Sequence, residues 1–297
     1  MVTVVLFGAN CIIGQYIFTY LTNHKYVKTI CVYDNIYNPL NDTFRDINES
    51  KLKTLLVDTY KVSNSYVIIN ALEMPNNTNI LNEINMNDYF KINTQFPHAL
   101  DKLSDVLNCK FIHITNNDIF NTSNGHNDET EYSTDLSPYG ISKSLGESLK
   151  NACIIRADTI SENDIQILYT NALNSPNHPS INGYYNHYWN GITCLKLASI
   201  IYIIIHHDLY WRGVRHFFSN TISHYNLTEI INEIYDLKIN IIKTKHNHYI
   251  NRTLSSVYTT NDYIDYLLDD NVDISIQLFL QKDFNITKYY NDFTISR

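Results

Sequence analysis

Several patterns that mark particular classes of protein are missing from this chain of 297 residues. The 22 lysines and arginines are scattered and the net charge is -8, so we expect no nucleic-acid partner. The longest apolar run, residues 197–205, is about half as long as a membrane span, which predicts a buried helix and no membrane partner. The first residues do not resemble a signal peptide, so we expect a cytoplasmic protein.

Cysteine pairs suited to a metal are also missing. The five cysteines form no CxxC pair and no cysteine–histidine spacing typical of zinc sites. We therefore expect reduced, buried thiols and no metal. Only 8 glycines and 6 prolines occur, a bias that we attribute to AT-rich coding and that weakens arguments from secondary-structure propensity.

Short apolar runs alternate with longer amphipathic stretches in the first half of the chain. Continuous apolarity is typical of strands buried on both faces of a parallel sheet. Strands are predicted at 2–7, 29–33, 54–57, 66–69 and 110–114, and helices at 12–23, 82–108 and 137–151. The repeating order predicts an α/β fold with a Rossmann-type, doubly wound parallel sheet.

The alternation ends near residue 165. The rest is rich in Asn, Pro and His, with helices predicted at 196–207 and 227–237 and a strand at 214–218. We therefore predict a dinucleotide-binding Rossmann domain over residues 1–165 and a smaller substrate-binding lobe over residues 166–297. The boundary is soft, and part of 190–220 could pack back on the first domain.

A glycine turn follows the first predicted strand and opens a helix. Amides and the dipole at a helix N-terminus can hold a pyrophosphate. The predicted cofactor residues here are Gly8, Asn10, Cys11, Ile12, Ile13 and Gly14. Cys11 occupies the position of the middle glycine in the usual G-x-x-G-x-x-G turn, where its side chain could crowd a phosphate. A tight turn without a nucleotide is the alternative.

Polar residues follow the next three predicted strands, at the edge where open α/β sheets bind ligands. Asp34 would accept hydrogen bonds from a ribose and repel a 2′-phosphate, so it favours NAD(H) slightly over NADP(H), or else is an ordinary turn residue. The remaining predicted cofactor residues are Asp58, Thr59, Asn70, Ala71 and Leu72.

Tyr139 and Lys143 lie four residues apart on one predicted helix. With 24 tyrosines in the chain, roughly one such spacing is expected by chance, so the surrounding sequence must decide. An ammonium beside a phenol favours the phenolate and predicts a lowered tyrosine pKa. Tyr139 would donate a proton to a ketone oxygen while a dihydronicotinamide delivers hydride, and Lys143 would also hold the nicotinamide ribose. A tyrosine packed on a lysine stem is the alternative.

The segments around this pair occur in a distinctive order. The strand ending at Thr115 precedes Asn-Asn-Asp-Ile-Phe, an acidic loop, Pro138-Tyr-Gly-Ile-Ser-Lys143 with Gly146-Glu147, and a strand ending at Arg156. Over residues 1 to about 160 this order resembles the extended short-chain dehydrogenase/reductases, most closely the dTDP-4-dehydrorhamnose reductase family. Residues 213–216 and 252–256 resemble later segments of the family more weakly.

This resemblance implies NADH- or NADPH-dependent reduction of the 4-keto group of a dTDP- or UDP-linked 4-keto-6-deoxyhexose. The family's third catalytic group is a serine or threonine hydroxyl. Here Asn116 aligns with it and could donate the same hydrogen bond, whereas a shift of the loop would bring Thr115 into that role.

The resemblance also implies residues for substrate binding, most of them in the second half of the chain. The implied substrate residues are Asp118, Trp189, Asn190, Thr193 and Arg252. Asp118 stands where bifunctional epimerase/reductases carry a cysteine, which disfavours epimerisation. Trp189, Asn190 and Thr193 could contact a hexose or a base, or form a surface loop anchored by one buried tryptophan.

Two other functions stay open. Cys11 and Asn116 motivate a non-catalytic regulatory or binding subunit, although retention of Tyr139 and Lys143 argues against it. Epimerisation or dehydration on the same scaffold is the other alternative, but dehydratases of this fold use an Asp-Glu pair where this chain has Asn116-Asn117. The oligomeric state is open, with a homodimer as one alternative.

Overall fold

The computed structural model describes residues 1–33, 36–41, 47–63, 65–74, 86–120, 124–175 and 179–268. The chain divides into two compact units. The first comprises Met1–Asn121, Glu131–Arg156 and Ala198–Arg215, and the second comprises Thr122–Thr130, Ala157–Leu197 and His216–Arg297. Within the described ranges, no helix is both long enough and apolar enough to cross a membrane.

Strands and helices alternate along the chain. The strands are β1 (Val2–Phe7), β2 (Val27–Val32), β3 (Tyr66–Asn70), β4 (Lys110–Thr115), β5 (Cys153–Arg156), β6 (Thr159–Ile160), β7 (Ser180–Tyr184), β8 (His187–Trp189), β9 (Ile192–Thr193), β10 (Gly213–His216), β11 (Ile222–Ser223), β12 (Asn240–Thr244) and β13 (Ile250–Asn251). The helices are α1 (Ile12–Thr22), α2 (Glu49–Thr54), α3 (Met86–Tyr89), α4 (Phe96–Leu107), α5 (Pro138–Gly146), α6 (Glu162–Leu173), α7 (Cys194–His206), α8 (His224–Ile234) and α9 (Thr260–Leu268). A π-helical segment continues α2 over Leu55–Thr59, and another joins α3 to α4 over Phe90–Gln95.

A six-stranded sheet has the order β10-β5-β4-β3-β1-β2. The neighbours among β1 to β5 pair in parallel. Their apolar side chains, including Val5, Ile68 and Ile154, are fully buried and share a core with Phe96 and Leu100 of α4. Burial of this kind explains why the strands are apolar throughout rather than alternating. The predicted Rossmann-type parallel α/β fold is confirmed.

The second unit contains short strands in small sheets. One sheet has the order β11-β8-β13, and β12 and β6 pair in parallel with β7 and β9 respectively. A separate apolar cluster of Ile160, Ile165 and Ile231 lies in this unit, with Trp189 packed against it. Strands of two to five residues leave no long apolar run, which is why periodicity is uninformative here.

The strand predicted at residues 54–57 is wrong, because the chain there is helical. The side chain of Asn48 caps α2 by accepting a hydrogen bond from the amide of Lys51. Leu52 and Leu56, four residues apart, are both fully buried, which is the spacing of one helix face. A short apolar run fits a strand or a buried helix equally well. Consequently, Tyr66–Asn70 is the third strand of the chain.

The helix predicted over 137–151 ends at Gly146 instead. The buried carboxylate of Asp101 accepts hydrogen bonds from the amides of Lys150 and Asn151, at 2.9 and 3.0 Å. Those amides are therefore committed to a side chain rather than to helix carbonyls. The other predicted elements lie within three residues of the observed ones, except that residues 82–85 fall outside the described part of the chain.

Candidate active site

The glycine turn after β1 packs against the end of β3. Gly8 has a φ of +83°, and a Cβ added there would lie 2.5 Å from the amide nitrogen of Leu72. A Cβ at Gly14 would meet the carbonyl of Gly8. Both glycines are required by close backbone approach. The turn and Ala71-Leu72, which were predicted separately, therefore lie together.

The N-terminus of α1 has the electrostatic character of an anion site. Cys11 occupies the N-cap position in an extended conformation, its side chain does not cap the helix, and the first turn contains no acidic residue. Asn10 is exposed and Ile12 and Ile13 open the helix. Amides at a helix start that no side chain caps can bind phosphate. This helix start is therefore suited to an anion, and the predicted roles of Asn10, Cys11, Ile12 and Ile13 in cofactor binding stay predictions.

The other predicted cofactor residues have different positions. Asn70 is fully buried, and its side-chain carbonyl accepts a hydrogen bond from the amide of Leu72 at 3.1 Å, so it shapes the turn beside Gly8. Asp58 and Thr59 are exposed in a π-helical segment rather than at a strand end. Asp34 lies outside the described residues. The roles of these residues in cofactor binding stay predictions.

Helix α5 holds the predicted catalytic pair. The Ser137 side chain caps the helix by accepting a hydrogen bond from the amide of Gly140, and Pro138 occupies the first helical position. Tyr139 and Lys143 follow one turn apart, with relative exposures of 3% and 4%. Two polar side chains that are buried this deeply need partners.

The partner that both share is Glu73, which the sequence analysis did not identify. Tyr139 Oη donates to Glu73 Oε1 at 2.8 Å, and Lys143 Nζ lies 3.2 Å from Glu73 Oε2. Glu73 is the third residue after β3, one position beyond the predicted cofactor residues 70–72. The rule that ligand groups follow strand ends would have included it if extended by one residue.

A π-helical residue fixes the segment that carries Glu73. Asn93 accepts a hydrogen bond from the amide of Met74 at 2.9 Å and donates one to Ser142 Oγ at 3.1 Å. One side chain therefore joins the loop after β3 to α5. An inserted turn of π-helix is frequent at functional sites because it redirects side chains in this way.

Asn116 and Asp118 complete the cluster around the phenol. Asn116 Oδ1 accepts a hydrogen bond from the amide of Asp118, which directs the amide nitrogen toward Tyr139. Asn116 Nδ2 lies 3.2 Å from Tyr139 Oη, 3.0 Å from Asp118 Oδ2 and 3.1 Å from Glu73 Oε1. Thr115 Oγ1 is buried and has no hydrogen-bond partner among the described residues. Asn116 is thus the better placed of the two candidates, and its catalytic role stays a prediction.

The expected lowering of the Tyr139 pKa is not found, because burial and two carboxylates act in the opposite direction. Burial raises the pKa of Tyr139 most, the charges of Glu73 and Asp118 raise it further, and the hydrogen bond from Asn116 opposes them only in part. Lys143 is already paired with Glu73. Tyr139 therefore keeps its proton well above neutral pH and is present as a neutral phenol, the form that can donate a proton.

Glu147, directly after α5, and Arg156, at the end of β5, form a buried ion pair instead of joining the cluster. Arg156 donates to Glu147 through Nε, at 3.1 Å, and through a second guanidinium nitrogen. Their side chains are 5% and 7% exposed, and the guanidinium lies 5.1 Å from the ring centre of Phe120. Glu147 and Arg156 therefore support the fold of the first unit.

The acidic loop has a structural role of the same kind in the second unit. Glu129 accepts hydrogen bonds from the amide of His216, the hydroxyl of Ser256 and the amide of Val257, at 2.8, 2.6 and 3.0 Å. The segments around His216 and Ser256 are the two that resemble the reductase family only weakly. The hydrogen bonds to Glu129 hold these two segments together.

The predicted substrate residues of the second unit make several contacts within that unit. Trp189 Nε1 donates to Asp158 at 2.8 Å, and Arg252 lies 3.4 Å from the same carboxylate. Asn190 exchanges two 2.8 Å hydrogen bonds with the backbone of Leu254. Thr193 is fully buried, and its hydroxyl accepts a hydrogen bond from the amide of Lys196 in the first turn of α7. Their roles in sugar binding stay predictions.

Several solved structures of known proteins have the same fold as this chain. A dTDP-4-dehydrorhamnose reductase of Clostridium acetobutylicum has a TM-score of 0.74 at 16% identity, covering 96% of this chain and 99% of its own. The corresponding reductase of Bacillus anthracis, solved with NADP, has a TM-score of 0.73 at 15% identity, with the same coverage. The chain has the fold of these reductases.

A related sugar-nucleotide enzyme has the same fold. The UDP-glucuronic acid 4-epimerase of Bacillus cereus, solved with a UDP-sugar and NAD, has a TM-score of 0.69 at 13% identity, covering 97% of this chain and 99% of its own. Neither the protein-family models nor the curated sequences contain a match. The resemblance predicted from the sequence is therefore confirmed at the level of fold.

His113 of β4 is a buried neutral base beside the site. Burial lowers its pKa to about 3, with Lys143 as the next cause. A lowered folded-state pKa gives stability that is present above about pH 6.5 and is lost as the pH falls toward about 3. We expect the free energy of unfolding to fall by about 2 kcal/mol more in wild type than in His113→Gln between about pH 6.5 and pH 4.5.

Urea unfolding at each pH measures this difference. The exposed His207→Gln variant is the matched control and should retain the wild-type pH dependence. Identical pH dependence in His113→Gln and wild type would mean that His113 accepts a proton in the folded protein.

Proposed function

We propose that this protein reduces the 4-keto group of a nucleotide-linked 4-keto-6-deoxyhexose, using NADH or NADPH. The observation that carries the proposal is the buried phenol of Tyr139, which lies beside Lys143 and Asn116 and keeps its proton at neutral pH. The glycine turn suited to a pyrophosphate contacts Leu72, the residue before Glu73. The glycine turn and Tyr139 therefore lie at the same edge of the sheet in the first unit.

The chemistry of these groups favours reduction. A dihydronicotinamide bound at this edge supplies hydride to the carbonyl carbon. Tyr139 donates its proton to the oxygen as negative charge develops there, and Asn116 offers an amide hydrogen to the same atom. Lys143 would bind the hydroxyls of the nicotinamide ribose.

The substrate class is inferred from the structural neighbours and the sequence resemblance. The neighbours' names refer to dTDP- and UDP-linked sugars, and their cofactors are NADP and NAD. Because Asp34 lies outside the described residues, the preference between the two cofactors stays as predicted from the sequence.

The test is NADH or NADPH oxidation with a panel of dTDP-, UDP- and GDP-linked 4-keto-6-deoxyhexoses, followed by absorbance. We expect Tyr139→Phe to lower kcat by about 10²–10⁴-fold and to leave dinucleotide affinity nearly unchanged. Tyr132→Phe, at a side chain that is 90% exposed, is the control and should keep wild-type activity. Full activity in Tyr139→Phe would contradict the assignment of the acid. Dinucleotide binding without turnover of any sugar would favour the non-catalytic binding subunit.

A further inference from the structure

The phenol of Tyr139 has little direct contact with water. The residue is 3% exposed, and its hydroxyl is surrounded by Glu73, Asp118 and Asn116, at 2.8, 3.2 and 3.2 Å. Each reduction consumes the phenolic proton, so a second turnover requires that it be replaced. The carboxylates among these neighbours offer a route for the replacement, whereas an amide is a poor proton carrier at neutral pH.

Glu73 is the better placed of the two carboxylates. It lies at the shorter distance from Tyr139 Oη, and its side chain is 26% exposed, so it can exchange protons with water. Its second oxygen faces Lys143 Nζ at 3.2 Å. The ammonium therefore compensates the charge of Glu73 each time that the carboxylate loses a proton.

The cluster can accept an additional hydrogen without moving a heavy atom. Five donor–acceptor distances of 3.2 Å or less join Tyr139, Asn116, Glu73 and Asp118. The phenol carries one hydrogen and the amide carries two. Two of the five distances thus have no hydrogen between their atoms, and a proton on Glu73 would fill one of them.

We propose that Glu73 is a further catalytic residue, which takes a proton from solvent and returns it to Tyr139 after each reduction. The inference rests on the proposed ketone reduction. In the reduction itself, the O–H bond of Tyr139 breaks and an O–H bond forms on the substrate oxygen. In the return step, a proton from water binds a Glu73 oxygen, the new carboxyl O–H bond breaks, and the phenol O–H bond forms again. One solvent proton is consumed per turnover, and no electrons move in the return step.

Pre-steady-state kinetics of Glu73→Gln tests this role. The variant starts with its phenolic proton in place, so the first turnover should proceed at about the wild-type rate. Later turnovers should slow by about 10²-fold, which gives a burst of one equivalent of oxidised cofactor per site. The exposed Glu131→Gln variant is the control and should show no burst. Equal slowing of the first and later turnovers would assign Glu73 a positioning role and overturn the inference.

Chemical rescue separates proton transfer from simple filling of space. Glu73→Ala should regain steady-state activity with added acetate in a saturable manner, whereas acetamide, of nearly the same shape, should not restore it. Equal rescue by both compounds would overturn the inference.

A further measurement needs no substrate and so separates this inference from the proposed function. Exchange of the Tyr139 hydroxyl hydrogen with solvent can be followed by the isotope shift of its Cζ resonance in labelled protein. We expect Glu73→Gln to slow this exchange by at least about 10-fold. Unchanged exchange would overturn the relay even if the protein reduces ketosugars. Slowed exchange in a protein that reduces none of them would leave the relay standing and overturn only the proposed function.

Discussion

Replacing Arg156 by methionine is expected to lower the free energy of unfolding by about 3–5 kcal/mol. The change removes the cation that pairs with Glu147, whose carboxylate is only 7% exposed. A buried charge without its counter-ion retains the full cost of leaving water. Urea or thermal unfolding of the variant measures the loss directly.

The double variant Arg156→Met, Glu147→Met distinguishes charge from packing. It should recover most of the loss, because it removes both charges and keeps apolar volume. Lys102→Met breaks the exposed pair with Glu49, where the side chains are 64% and 47% exposed, and should change stability by less than about 1 kcal/mol. If the double variant is as unstable as the single one, lost packing on Phe120 is the cause.

The hydroxyl of Tyr139 is expected to remain protonated at the pH where an ordinary tyrosine, with a pKa of about 10, has ionised. Burial is the largest cause of the raised pKa, followed by the charges of Glu73 and Asp118. Replacing both carboxylates, in Glu73→Gln with Asp118→Asn, removes the two charges that raise the pKa and leaves Lys143 without its Glu73 partner. The pKa of Tyr139 should then fall, because an uncompensated ammonium favours the phenolate.

The Cζ chemical shift of labelled tyrosine reports this titration. The Tyr139 resonance is assigned by its absence from Tyr139→Phe, and Tyr132, which is 90% exposed, provides an internal reference. A Tyr139 resonance that titrates together with that of Tyr132 would mean that the carboxylates do not control the phenol.

The sequence predicts most of the sheet but not the helix after Asn48. β1, β3 and β4 are predominantly apolar runs, and the same signal at residues 54–57 belongs to a helix, because Leu52 and Leu56 share its buried face. Local pattern distinguishes the two only when the run is long or when the capping residue is recognised. Asn48 carried that signal, since its side chain caps the helix.

The candidate site was predictable in part. Tyr139 and Lys143 are visible from their spacing, because both lie on one helix. Glu73 is not, since it lies 66 residues before Tyr139 and is held there by Asn93 through contacts that only the folded chain creates. The predicted direction of the Tyr139 pKa shift was wrong for the same reason. Lys143 is visible from its spacing in the sequence, whereas Glu73 and Asp118 become neighbours of the phenol only in the folded chain.

The near-contact between Gly8 and Leu72 has a mechanical consequence. No side chain larger than hydrogen fits between the backbone of Gly8 and that of Leu72, and Glu73 is the next residue along the chain. A displacement of the glycine turn would therefore move Leu72 and, with it, Glu73, whose carboxylate contacts the phenol. In the proposed reaction, cofactor binding by the glycine turn and proton donation by Tyr139 are therefore coupled.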